Sequence, residues 1–198
     1  QTLTGGGGLQ DANAYNCLII ANSYESEIFF SGSAAAATSA TGGTFPPRPE
    51  KIFIRNCTII GNDGAIVLHD GIEPSVAGGL DVKNCIIWDN LNATTIKIYS
   101  ADFEFNNHTP GLYGVSNGGT TNNPEFVDSM AGNYQLRGIS PGLDAGDNSV
   151  VVGATDFLGV DRIFNGRVDM GAYEAVNSDS DSLTDAEEVS KHFTNPLL

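Results

Sequence analysis

One short motif recurs three times and limits what this chain can fold into. Asn16-Cys17-Leu18-Ile19-Ile20-Ala21-Asn22 matches Asn56-Cys57-Thr58-Ile59-Ile60-Gly61-Asn62, and both match Asn84-Cys85-Ile86-Ile87-Trp88-Asp89-Asn90. The shared pattern, Asn-Cys-x-Ile-(Ile/Trp)-x-Asn, returns after 40 and then 28 residues. A second apolar run follows each copy: Ile28-Phe29-Phe30, Ile66-Val67-Leu68, and Ile96-Lys97-Ile98-Tyr99. Two copies are also preceded by short alternating runs, Lys51-Ile52-Phe53-Ile54-Arg55 and Gly79-Leu80-Asp81-Val82-Lys83. A unit this small cannot bury its apolar face alone, so copies must stack.

Strand, Asn corner, strand, polar corner, strand is the unit of a right-handed parallel β-helix, whose neighbouring strands lie about 4.8 Å apart. Asn suits the corners because its short polar side chain tolerates left-handed backbone and can bond to the Asn above or below. The spacing therefore predicts an all-β solenoid of about five coils over residues 1–122. The longer first interval holds an insertion at 31–49, marked as a side loop by its Ala run, Gly42-Gly43 and Pro46-Pro47. All three cysteines share one repeat position, which reads as an interior stack behaving as small apolar filler. A disulfide between neighbouring repeats stays open, although three is an odd number and a stapled framework would be denser.

Charge narrows the partners. The 198 residues carry 24 acids against 9 bases, a net −15. Such a chain does not hold a phosphate backbone by counterion release, which excludes nucleic acid, and anionic membranes are disfavoured for the same reason. No apolar run approaches the roughly 20 residues of a membrane span. The charged partner this composition favours is a cation. Eleven of the acids lie at or after Asp144, where only Arg162, Arg167 and Lys191 oppose them. At the other end, Gly5-Gly6-Gly7-Gly8 follows Gln1 closely and reads as a linker or worn edge rather than a first strand. A processed piece of a longer polypeptide is the expectation.

After Tyr99 the repeat degrades, with one further coil around Phe103-Glu104-Phe105 and a corner at Asn117–Asn123. Five blocks then follow in order: Asn123-Pro124-Glu125-Phe126-Val127-Asp128; Tyr134-Gln135-Leu136; Ser140-Pro141-Gly142-Leu143-Asp144-Ala145-Gly146; Asp156-Phe157-Leu158-Gly159-Val160-Asp161-Arg162; and Asp169-Met170-Gly171-Ala172-Tyr173-Glu174. This series resembles the C-terminal part of bacterial secreted right-handed β-helix proteins of the choice-of-anchor Q type. The resemblance implies an extracellular, surface-associated location and little about chemistry. Residues 123–174 are expected to cap the open end of the solenoid. Asp156, Asp161, Arg162, Arg167 and Asp169 are expected to form an ion-pair and hydrogen-bond set within that cap.

The tail is the most chemically specific segment. Asn177-Ser178-Asp179-Ser180-Asp181-Ser182-Leu183-Thr184-Asp185-Ala186-Glu187-Glu188 places oxygen ligands at positions 1, 3, 5, 9 and 12, with the Leu183 carbonyl at 7. Alternate oxygens around a hard cation, closed by a bidentate Glu, make the loop of an EF-hand. The predicted calcium ligands are thus Asn177, Asp179, Asp181, Leu183, Asp185 and Glu188. Thr184 and Glu187 read as a capping box opening a short exiting helix. With Thr194-Asn195-Pro196, residues 175–198 resemble the thrombospondin type 3-like calcium repeats of bacterial surface proteins. Two departures are Asn177 in place of Asp at position 1 and Ser182 in place of the turn-making Gly at position 6.

Parallel β-helices also host polysaccharide lyases and hydrolases, so residues of catalytic type matter here. Asp81, Lys83 and Arg55 supply the acid and base types a lyase needs. Yet Arg55 and Lys83 occupy one outward repeat position, where a ladder of surface ion pairs accounts for them. Asp63, His69 and Asp70 show no convergent arrangement of the kind an inverting hydrolase needs. Three sequons (at Asn56, Asn92 and Asn107) matter only in a eukaryotic secretory route and are set aside. The sequence reads as a non-catalytic extracellular module, structural, adhesive or fibre-forming through self-association, with a calcium-stabilised tail. The alternative is a carbohydrate-active protein that binds or cleaves an acidic polysaccharide.

Overall fold

The computed structural model describes residues 2–3, 13–20, 28–31, 52–62, 66–69, 80–90, 95–97, 103–111, 117–177 and 183–196. The predicted insertion beyond Ser31, with Asp63 and Asp70, lies outside them, and nothing is described of the His69 side chain. The chain is all-β, with three parallel sheets and few helical residues. Strands β1 (Thr2–Leu3), β3 (Leu18–Ile20), β6 (Thr58–Ile60), β9 (Ile86–Trp88) and β12 (Asn107–His108) form one sheet in that order. Strands β2 (Ala14–Tyr15), β5 (Ile52–Arg55), β8 (Leu80–Lys83) and β11 (Phe103–Glu104) form a second. Strands β4 (Ile28–Ser31), β7 (Ile66–His69) and β10 (Thr95–Lys97) form a third. Ile, Val and Thr dominate these runs and fit a pleated, covered surface.

Register follows the sequence repeat. Leu18 lies opposite Thr58 and Thr58 opposite Ile86, while Ala14 lies opposite Ile54 and Ile54 opposite Val82. Between the two sheets the chain turns at Asn16, Asn56 and Asn84, with φ of 49°, 51° and 56°. That left-handed backbone is what Asn tolerates better than most side chains. The second Asn of the motif forms the expected ladder: Asn62 Nδ2 donates to Asn90 Oδ1 at 2.8 Å, and Asn90 Nδ2 donates to the Ile59 carbonyl at 3.0 Å. The thiols are free and buried. Cys57 donates to the Arg55 and Ala14 carbonyls, and Cys85 to those of Lys83 and Ile54, so the column spans successive repeats.

The further repeat expected around Phe103-Glu104-Phe105 is present, without the Asn-Cys motif. Phe105 takes the left-handed corner at φ 53°, and Asn106 takes the position of the cysteine. Its side chain is fully buried and bonds the repeat below, accepting from the Cys85 N–H at 2.9 Å and donating to the Val82 carbonyl at 2.8 Å. At the other edge, Thr2 and Leu3 pair with Leu18 and Ile19. A strand thus precedes the glycine run, where none was expected.

The last third of the chain lies along the flank of the first sheet rather than over its end. Leu18 packs with Ala172 and Tyr173; Ile86 packs with Leu136, Met170 and Ala175. The Ala172 N–H donates to Thr58 Oγ1 at 3.0 Å, and the Gly171 N–H to the Asn84 carbonyl at 2.8 Å. At Gly171, φ is +96° and an added Cβ would sit 2.8 Å from Thr58 Oγ1, so only glycine allows this approach. The opposite face of the sheet, Ile19, Ile59 and Ile87, is at most 1% exposed. Both faces are therefore covered, as befits a parallel sheet. The flank segment includes an antiparallel hairpin of β13 (Phe126–Asp128) and β14 (Asn133–Leu136).

Candidate functional site

Asn177, Leu183, Asp185 and Glu188 of the predicted calcium loop are described; Asp179 and Asp181 fall outside the described residues. The Asp185 N–H donates to the Val176 carbonyl at 2.8 Å, which brings position 9 of the loop back to the residue before its first. Helix α1 (Asp185–Glu187) follows, then a π-helical turn over Glu188–His192, so the predicted short exiting helix is present. Phe193 ends it in left-handed backbone. Glu188, the closing position of the loop, is 3% exposed. Its Oε1 accepts from Thr194 Oγ1 at 3.0 Å, whereas its Oε2 is buried without a hydrogen-bond partner. A buried carboxylate oxygen left unpaired is costly unless a cation or donor meets it.

The exiting helix is fastened to the hairpin through its neighbour, Glu187. Its carboxylate accepts the Gly138 N–H at 2.7 Å, Arg137 Nε at 2.8 Å and the Thr184 N–H at 3.2 Å. Thr184 Oγ1 donates to the Leu136 carbonyl at 3.2 Å, and Asn133 Nδ2 to Ser190 Oγ at 3.3 Å. Burial works to raise the Glu187 pKa, but the Gly138 amide and Arg137 outweigh it and hold the carboxyl below its ordinary value. Sequence reasoning placed Glu187 in a capping box and missed this second role, because Arg137 is fifty residues away.

In the flank segment, Arg162 is 1% exposed and sits 3.7 Å from Glu174 Oε2. It donates to the Asp169 and Gly171 carbonyls. Asp156 accepts the N–H groups of Leu158, Val160 and Glu174; Asp169 accepts those of Asp144 and Ala175. Arg167 donates to the Gly146 and Ala145 carbonyls. Asp161 stands apart on the surface. Glu174 belongs to the set although its charge was not singled out in the sequence. Burial, with Asp144 nearby, pushes Asp169 up to about 7; burial and then Asp169 push Glu174 up to about 8.

The residues considered for catalysis pair as a ladder: Arg55 Nη1 with Asp81 at 2.5 Å and Lys83 with Glu104 at 2.9 Å. The expectation that these are open surface positions is corrected for the first pair, since Arg55 and Asp81 are 5% and 8% exposed. Residues 149–152 lie beside Tyr15, Phe53 and Arg55 and shelter that face, leaving a cleft between. Asn56 and Asn107, two of the sequon positions, are fully buried. Burial pushes the Cys57 thiol well up, and the Cys57 thiol beside it does the same to Cys17. Among the described residues, no group of three or more His, Cys, Asp or Glu side chains is placed to hold a metal, and no helix is long and apolar enough to cross a membrane. No protein family, curated protein or solved structure matches this chain.

Proposed function

We propose that this chain is a right-handed parallel β-helix module of a bacterial extracellular surface protein, with a choice-of-anchor Q-type C-terminal segment and a calcium-fastened tail. The stacking of Asn16, Asn56, Asn84 and Phe105 at successive corners supports the solenoid reading. Its role is structural or adhesive, including self-association into fibres. The pairing of Arg55 with Asp81 and of Lys83 with Glu104 favours this over a lyase, whose base must be free to meet a sugar proton.

The observation that carries the calcium reading is Glu188 Oε2, buried and unpartnered at the closing position of a loop whose ninth residue bonds back to Val176. A calcium ion supplies the positive charge that this oxygen lacks. Asn177, Asp179, Asp181, the Leu183 carbonyl, Asp185 and Glu188 are the residues that would hold it. Thr194 keeps Glu188 in place, and Glu187 ties the loop to the hairpin.

The test is a thermal melt of the protein with calcium and with chelator, repeated for Glu188→Gln. Ligand that binds only the folded state raises the midpoint. A calcium-specific rise in the parent that is lost in the variant is expected. Equal midpoints with calcium, magnesium and chelator would return residues 177–188 to a solvated acidic segment.

A further inference from the structure

Asn16 and Asn84 each grip the segment that runs beside the second sheet. Asn84 bonds both backbone groups of Asp147, and Asn16 Nδ2 donates to the Val152 and Thr155 carbonyls. Asn56 holds the same repeat position between them, yet it is fully buried with neither amide atom partnered. Among the described residues, the 147–155 stretch therefore has no such side-chain grip at the Asn56 corner. There Ser149–Val152 form one wall of a cleft of about 320 Å³, and Tyr15, Phe53 and Arg55 form the other. Tyr15 and Arg55 are register partners, and Phe53 lies two residues before Arg55, so the three share one sheet face.

This wall has unspent donors. The Arg55 side chain is 6% exposed and gives Nη1 to the carboxylate and carbonyl of Asp81. Its carbon centre sits 5.1 Å from the Phe53 ring centroid. Nε and Nη2 of Arg55 and the Tyr15 hydroxyl have no protein hydrogen bond among the described residues. These donors reach solvent in the cleft, so a ligand that accepts hydrogen bonds can meet them there in place of water. A wholly apolar ligand would leave them unmet. An anionic ligand is disfavoured as well: Asp81 already balances the Arg55 charge, and the chain carries a net −15.

What fits is a neutral molecule with an apolar C–H face and a hydroxyl rim. The Phe53 and Tyr15 rings take the face, and the guanidinium edge and phenol take the hydroxyls. The volume stands at the lower end of small-molecule sites, which suits a single ring rather than an extended ligand. We propose that the cleft between Tyr15, Phe53 and Arg55 and residues 149–152 binds one ring of a neutral glycan. This goes beyond the structural role proposed above and does not depend on the calcium loop, which belongs to a different part of the chain.

The test uses the full chain in saturation-transfer NMR and titration calorimetry, with maltotetraose, cellotetraose, mannotetraose and tetragalacturonate as probes, beside a neutral-glycan array. At least one neutral glycan binds, and Phe53→Ala and Arg55→Lys each weaken it about tenfold or more, the scale of a lost stacked or bidentate contact. Tyr15→Phe keeps the ring and the fold, and weakens binding about threefold to tenfold through the lost hydroxyl alone. Silence toward every neutral glycan overturns the proposal. So does binding that Tyr15→Phe and Phe53→Ala leave unchanged, or tighter binding of tetragalacturonate than of any neutral probe.

Discussion

Replacing Glu187 by Gln tests how the tail is held. The Glu187 side chain is 2% exposed and gathers three N–H donors, from Gly138, Arg137 and Thr184. Gln keeps the shape, loses the charge, and turns one amide donor toward these donors. Hydrogen bonds to a buried charge contribute about 1.5–3 kcal/mol each, and stranding a buried partner costs about 3–5 kcal/mol. The upper figure does not apply, because the Arg137 side chain is 28% exposed and keeps Glu125 at 3.1 Å. A loss of about 2–3 kcal/mol is expected for docking of the exiting helix. Amide hydrogen exchange over residues 184–194 reads that loss as protection falling about 30- to 150-fold at neutral pH. A lowered carboxyl contributes stability above its unfolded value of about 4.3 and loses it as pH falls through the lower folded value. Parent and variant should therefore converge in urea denaturation as pH drops well below 4. Protection that changes less than about threefold, or a difference that persists undiminished in acid, would refute the reasoning.

Three further outcomes follow from other parts of the structure. Gly171→Ala, with its Cβ driven onto Thr58 Oγ1 and the Ile86 side chain at positive φ, should cost about 3 kcal/mol in urea denaturation; an unshifted midpoint would argue against the flank packing. Asp169 and Glu174, raised to about 7 and about 8 by burial, contribute stability that is full below about 4 and is lost as pH rises through those values. The melting temperature should fall from pH 6 to 9, less steeply in Asp169→Asn, and a flat profile would speak against burial raising these two carboxyls. Cys17, Cys57 and Cys85 should resist a thiol reagent in the native protein and react together only on unfolding; rapid reaction of Cys57 in the folded state would contradict its burial.

The repeat was legible because each strand's place depends on residues close by in sequence. The corners at Asn16, Asn56 and Asn84, the Asn62–Asn90 ladder and the thiol column all lie where the motif put them. The fourth repeat was legible only as an apolar run around Phe103-Glu104-Phe105; its corner at Phe105 and the part of Asn106 match neither motif residue and show only in their bonds to Cys85 and Val82. What covers a sheet from outside is set by contacts far apart in sequence, so the sequence suggests an end cap for residues 123–174 where residues 126–175 pack along the flank. A signal was present: Leu18-Ile19-Ile20 and Ile86-Ile87-Trp88 do not alternate with polar residues, which marks strands covered on both faces. The shelter over Arg55 and Asp81 has no such local mark. In the tail, the exiting helix and its capping box agree with the reading of the sequence, whereas Asp179 and Asp181 fall outside the described residues.

The flank segment also changes how the protein should fold. A stack of repeats held only by neighbours can nucleate anywhere and come apart piecewise from its ends. Here Asn16 is bonded to Val152 and Thr155, Thr58 to Ala172, and Asn84 to Asp147 and Gly171, so three successive repeats share one late-made partner. Until roughly residue 175 has left the ribosome, Leu18 lacks Ala172 and Tyr173, and Ile86 lacks Met170 and Ala175. Folding is therefore deferred until the flank segment has been made and pays loop closure over more than a hundred residues, which makes it slow. Once the last third is laid down, the repeats are committed together, and loss of any one requires lifting the segment that binds them all.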